Sequence, residues 1–197
     1  MKPELHLPAR TTWALAGLLL SVACGPKSGA SNEPGGSTAG VLGERPTADG
    51  SLIEQQIDLD GDGDADVYNF WQERSDGPRL LVRKESDLNR DGKIDVRTSF
   101  DASGQIVLEE MDGDFDGTVD WTDHYQGGKR TLSEVDTNYD GAFDLFKIYE
   151  SGRVSRKERD TNNDGRTDFW EYLDAEGNVV KVGRDVDGDG VMDVRED

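Results

Sequence analysis

The chain is 197 residues long and carries 42 acidic against 22 basic side chains, a formal net charge of −20. That balance excludes nucleic acid as a partner, because a phosphate backbone must be met by Lys and Arg. Apolar residues supply only 34% of positions and Gly supplies 24, which excludes one large hydrophobic core and leaves either disorder or a chain whose charge is neutralised by cations.

Residues 1–23 read as a signal peptide. Lys2 and Arg10 form a short basic region, and residues 13–23 (WALAGLLLSVA) form an uncharged apolar run. That run is too short for the ~20 residues a membrane-spanning helix needs. It ends in Ser21-Val22-Ala23-Cys24, which resembles the bacterial lipobox, although Ser21 stands where that family usually carries Leu. The resemblance implies that Cys24 receives lipid and becomes the mature N-terminus. The alternative is a stray thiol in an ordinary signal peptide. Gly25 after the Cys resembles lipoproteins sent on to an outer membrane, so the expected location is extracytoplasmic, periplasmic or surface-exposed. Cys24 is the only Cys, so no internal disulfide is possible.

Residues 24–50 combine that Cys with a stretch rich in Gly, Ser, Pro, Thr and Ala. The composition predicts a flexible, disordered linker with a reach of roughly 25–30 Å.

Residues 51–197 hold a repeat domain. The pattern D-x-[DN]-x-D-G-x-x-D occurs six times, with starts 29, 25, 24, 24 and 25 residues apart. Its polar positions are Asp58, Asp60, Asp62 and Asp66; Asp87, Asn89, Asp91 and Asp95; Asp112, Asp114, Asp116 and Asp120. The later copies give Asp136, Asn138, Asp140 and Asp144; Asp160, Asn162, Asp164 and Asp168; Asp185, Asp187, Asp189 and Asp193. Short carboxylates at positions 1, 3 and 5 of a tight loop converge without freezing long side chains, and Gly at position 6 permits the turn. This is a donor set for a hard cation, and calcium, which takes 6–8 oxygen ligands, suits it better than magnesium. Asn at position 3 removes one charge from the second, fourth and fifth copies.

These residues resemble the first nine positions of an EF-hand loop and, equally, the loops of thrombospondin type 3 repeats and dockerins. The resemblance implies calcium as the ligand. It stops at position 12, where an EF-hand places a bidentate Glu and this chain has Asn69, Thr98, Asp123, Lys147, Glu171 and Glu196.

The spacers between loops are too short for two helices and a connector. Each has a turn signal at its middle (SDGP, DASG, QGG, ESG, DAEG) between β-branched and aromatic runs such as VYNFW and IVLEE. The expected fold is therefore all-β: an antiparallel meander of repeated hairpins joined by Asp-rich calcium loops. Apolar residues at the first and fifth positions after a loop, such as Val67/Trp71 and Leu145/Tyr149, share a face and predict either the sheet's core or an aromatic binding platform. Glu85, Glu110, Glu134 and Glu158 each precede a loop by two residues, as outer-shell groups or as a solvated strand face.

Catalysis is not expected. Beyond the signal peptide the only His is His124, and the carboxylates are already assigned as ligands. Two readings follow. One is a calcium-rigidified structural, adhesive or scaffolding element of the cell envelope, held to the membrane by its lipid anchor and facing an envelope protein or polysaccharide. The other is an extracytoplasmic calcium sensor or buffer of EF-hand type.

Overall fold

The structure, a computed structural model, describes residues 40–196. The signal peptide, Cys24 and residues 25–39 lie outside these residues. Thirteen strands follow in order: β1 (Gly40–Pro46), β2 (Ile53–Asp58), β3 (Val67–Gln72), β4 (Leu80–Ser86), β5 (Val96–Phe100), β6 (Ile106–Met111), β7 (Trp121–Gln126), β8 (Lys129–Val135), β9 (Leu145–Glu150), β10 (Arg153–Arg159), β11 (Phe169–Leu173), β12 (Val179–Arg184) and β13 (Val194–Glu196). They form one antiparallel sheet in sequence order, and no helix is found among the described residues. The all-β meander expected from the repeat is the observed fold. Tight turns lie at one end of the strands, and the six Asp-rich segments lie at the other.

The sheet starts earlier than composition suggested. β1 lies inside the segment 24–50 read as a flexible linker, which corrects that reading for residues 40–46. It pairs with β2 from Gly40↔Asp58 to Pro46↔Ile53 around a turn at residues 47–52. Arg45 pairs with Glu54 at 2.8 Å, and Arg79, near the next turn, reaches Glu44 at 2.7 Å. An edge strand has water on both faces and along one side, so it needs no apolar alternation, and Gly and Pro are tolerated there. Its composition therefore looks like a linker's.

The sheet is a single layer. Among the described residues, only Val67, Phe70, Val135, Leu145 and Trp170 are buried apolar side chains, and Phe70 and Trp170 lie on the face opposite the other three. Basic side chains take the place of a second layer. The Arg83 guanidinium lies 3.9 Å from the centre of the Phe70 ring, Arg79 4.7 Å from Trp71, and the Lys147 ammonium 4.3 Å from Trp121. Long basic stems cover apolar surface while their charges stay wet.

On the face shared by the first and fifth positions, a polar row separates two apolar rows. The row nearest the Asp loops runs through Val96, Met111, Trp121, Val135 and Leu145 in direct register. The next row contains Thr98, Glu109, Asp123 and Ser133. Ser133 is fully buried, Asp123 is 6% exposed, and the Ser133 hydroxyl donates to the Asp123 carboxylate. Arg130 completes the cluster, 2.9 Å from Asp123 and 3.1 Å from the Tyr125 hydroxyl.

Beside the tight turns of the five hairpins from β3–β4 to β11–β12 the register slips by one residue, whereas in β1–β2 the slip lies at the other end, between Val41 and Gly43. Trp71 pairs with Leu81 and Phe70 with Arg83, which leaves Val82 as a bulge. The same slip recurs between Ser99 and Phe100, His124 and Tyr125, Val154 and Arg156, and Tyr172 and Leu173. A bulge of this kind raises local twist.

Candidate metal centres

Each loop is built by its own carboxylates. In the second, Asp87 accepts the Arg90 amide at 2.6 Å on Oδ1 and the Gly92 amide at 2.9 Å on Oδ2. Asn89 Oδ1 accepts the Asp91 amide and Asp91 Oδ1 the Lys93 amide, both at 2.9 Å. Asp95 Oδ2 reaches back to the Leu88 amide at 2.5 Å. This cascade of side chain to backbone bonds satisfies amides that no strand can reach. It also holds positions 4 and 6 in the left-handed region, with φ of 64° at Arg90 and 86° at Gly92. Position 6 is always Gly, but position 4 is left-handed as a non-Gly residue at Phe115, Tyr139 and Asn163 as well. Such a backbone costs on the order of 1–2 kcal/mol, which the carboxylate–amide bonds offset. The glycines at 61 and 188, in the first and sixth loops, were the sequence signal for it.

Backbone bonds connect the loops into a row. The amide of the first Asp in one loop donates to the carbonyl of the last Asp in the loop before it: Asp87 to Asp66 at 2.9 Å, Asp112 to Asp95 at 2.8 Å, Asp136 to Asp120 at 2.8 Å, Asp160 to Asp144 at 2.9 Å and Asp185 to Asp168 at 2.9 Å. The ladder thus extends one residue past the strands, carrying the first and last carboxylate of each loop into the sheet's end. Asp58 is fully buried, Asp95 and Asp136 are 2% exposed, and Asp112 is 3% exposed. Positions 3 and 5 are exposed in all six loops.

Four loops bring three carboxylates within 4.8 Å of one another: Asp58, Asp60 and Asp62; Asp87, Asp91 and Asp95; Asp112, Asp114 and Asp120; Asp185, Asp187 and Asp193. Calcium–oxygen distances of 2.3–2.6 Å give a coordination shell about 5 Å across, so these oxygens fit around one ion. The remaining expected ligands do not join such a triad. Asp66 faces the Arg90 guanidinium at 3.6 Å. Asp116 and Asp189 each accept the amide two residues on, at 2.7 and 2.8 Å. In the fourth and fifth loops, Asp136, Asp140 and Asp144, and Asp160, Asp164 and Asp168, stay apart. There Thr137 and Thr161 bind the last carboxylate, Thr161 lying 2.8 Å from Asp168 Oδ1. Asn138 and Asn162 accept the amides of Asp140 and Asp164 at 3.0 Å, as Asn89 accepts that of Asp91.

The chemistry of the second loop argues for a cation. Asp95 is 2% exposed and its Oδ1 has no hydrogen-bond partner. A buried carboxylate oxygen without a donor is costly unless a positive charge completes it. In the third loop, partial loss of solvation and then the charges of Asp116, Asp120 and Asp112 raise the Asp114 carboxyl above its ordinary value, against the Asp116 amide, which lowers it. At Asp185, burial pushes up but the amides of Gly190 and Gly188 outweigh it and hold the group low.

The position-12 residues take no part in the loops. Asp123 is held by Arg130, and Glu171 lies 3.8 Å from Lys157 in the polar row. The glutamates two residues before a loop are paired on the sheet instead: Glu85 and Glu110 with Arg97 across the strands at 2.9 and 3.4 Å, Glu134 hydrogen-bonded to His124 at 2.7 Å, and Glu158 with Arg156 of its own strand at 2.7 Å. Composition could not reveal the partners of Glu85, Glu110 and Glu134, because strand register supplies them. Compared with known proteins, the chain matches no family model and no curated relative.

Proposed function

We propose that this chain is a calcium-binding, lipid-anchored structural element of the cell envelope, its hairpin array stiffened by ions held at one end of the strands. The observation that carries this reading is the buried, donorless Asp95 Oδ1 beside Asp87 and Asp91. These carboxylates, with the Asn89 amide oxygen, would hold the ion, and the ion would neutralise charges that otherwise repel at close range. Calcium is favoured over magnesium by the all-protein oxygen donor set. Extracytoplasmic sites are tuned to ~10⁻⁴–10⁻³ M, where they stay filled, which favours structure over sensing.

Calorimetric titration of the chain with calcium tests it. Binding near 10⁻⁴ M with a rise in melting temperature is expected, and Asp95→Asn should weaken one site. No heat and no thermal shift up to 10 mM, about tenfold above that range, overturns the reading. Low-micromolar, cooperative binding with a change of shape favours the sensor. The anchor rests on the sequence around Cys24, and Cys24→Ala should move the protein from the membrane fraction to the soluble one.

A further inference from the structure

The six loops fall into two kinds, and basic side chains of one kind reach onto the other. Three carry Asp at positions 1, 3, 5 and 9: the first, third and sixth. The other three carry Asn at position 3, and only these contain basic residues, Arg90 and Lys93 in the second and Arg166 in the fifth. All three basic side chains reach onto an all-Asp neighbour. Lys93 Nζ donates to the Asp116 carbonyl of the third loop at 3.2 Å, and Arg166 Nη1 to the Gly188 carbonyl of the sixth at 2.9 Å. Arg90 goes further and contacts carboxylates of the first loop, with Nη1 2.6 Å from Asp60 Oδ2 and Nε 3.6 Å from Asp66 Oδ1.

We propose that Arg90 is a tethered counter-ion of the first loop, competing there with the metal ion and linking occupancy of that loop to the second. The inference rests on the cation-binding reading above and names a control on it. Asp60 belongs to the first loop's triad, together with Asp58 and Asp62. An ion that takes the Asp60 carboxylate shares it with, or displaces, the guanidinium. The Arg90 backbone is fixed, its amide bound by Asp87 of the second loop's triad, so the guanidinium stays within reach of Asp60. A guanidinium carries a permanent charge, so the competition does not depend on pH. The pair is partly solvated, with the Arg90 side chain 56% exposed, so its effect on affinity is modest. Removing the charge is expected to tighten the first loop about fivefold.

The test uses the full chain, calcium chloride and the amide resonances of the position-6 glycines, which report each loop separately. Gly63 reports the first loop and Gly190 the sixth. Arg90→Asn is the informative variant, since Asn163 occupies the same loop position in the fifth loop with φ 58° and so tolerates that backbone. Arg90→Lys keeps the charge. The expected result is a Gly63 midpoint lowered about fivefold in R90N, near the wild-type value in R90K, and a Gly190 midpoint unchanged in both. A Gly63 midpoint equal in wild type and R90N, with the loops still responding to calcium, overturns the inference and leaves the cation reading standing. If no loop glycine responds to calcium in the wild type, the cation reading falls and this inference falls with it.

Discussion

The hydroxyl of Thr137 lies 2.8 and 2.9 Å from the two carboxylate oxygens of Asp144, so the fourth loop closes on itself. Thr161 repeats the arrangement with Asp168, at 2.8 Å to each oxygen. Leu59, Leu88, Gly113 and Val186 hold the same place in the other loops and offer no hydroxyl.

That difference predicts occupancy. In these two loops the ninth-position carboxylate is already engaged, and no triad forms. Native mass spectrometry in calcium should find four bound ions, matching the four triads, and not six. Replacing both Thr137 and Thr161 with Val should raise the count. Six ions on the unaltered chain would show that the hydroxyls do not hold the carboxylates back.

Carboxylates within one loop should separate into structural and ligand roles. Asp136 is buried and accepts the Tyr139 and Gly141 amides, both at 2.7 Å, whereas Asp140 is exposed. In excess chelator, Asp136→Ala should cost about 2–3 kcal/mol, seen as a drop of roughly 5–10 °C in melting temperature, because two amides lose their acceptor. Asp140→Ala should cost less than about 1 kcal/mol under the same conditions. Equal losses would mean that the first-position carboxylate is no more structural than the fifth.

The first hairpin should carry an acid-sensitive turn. The Thr47 hydroxyl, then the Ser51 amide and hydroxyl, hold the Asp49 carboxyl down at about 2, from an ordinary 3.8. Its folded pKa is the lower one, so its contribution is fully present above pH 3.8 and is lost as pH falls toward about 2. The Leu52 amide donates to Thr47 Oγ1 at 3.1 Å and reports the turn by hydrogen exchange. Asp49→Asn should reduce its protection at neutral pH and flatten the loss between about pH 4 and 2. A variant with the wild-type pH profile would place the acid-sensitive group elsewhere.

The loops and hairpins were legible in the chain because their signals are local. An Asp-x-Asn-x-Asp-Gly run specifies its own turn through bonds reaching two to five residues, and the 24–25-residue spacing leaves room for just two strands. β1 was not legible, since an edge strand such as residues 40–46 needs no apolar face. The ion pairs Arg90–Asp60 and Arg130–Asp123 were hidden for another reason. Each joins residues that only register brings together, across a loop boundary or a bulged strand pair. The closing of the fourth and fifth loops did have a signal, the Thr at position 2, but its meaning depends on where the ninth-position carboxylate points.

A single-layer sheet with all its Asp loops at one end of the strands is a ribbon with unlike margins. One margin is crowded with carboxylates, and the other ends in short uncrowded turns. Repulsion along the first margin tends to lengthen it relative to the second, and neutralising it has the reverse effect. If ions fill the charged margin as proposed, the ribbon is expected to act like a two-metal strip, changing curvature while every strand keeps its neighbours. Small-angle scattering would read that change as a shift in the chain's radius, with no loss of strand content.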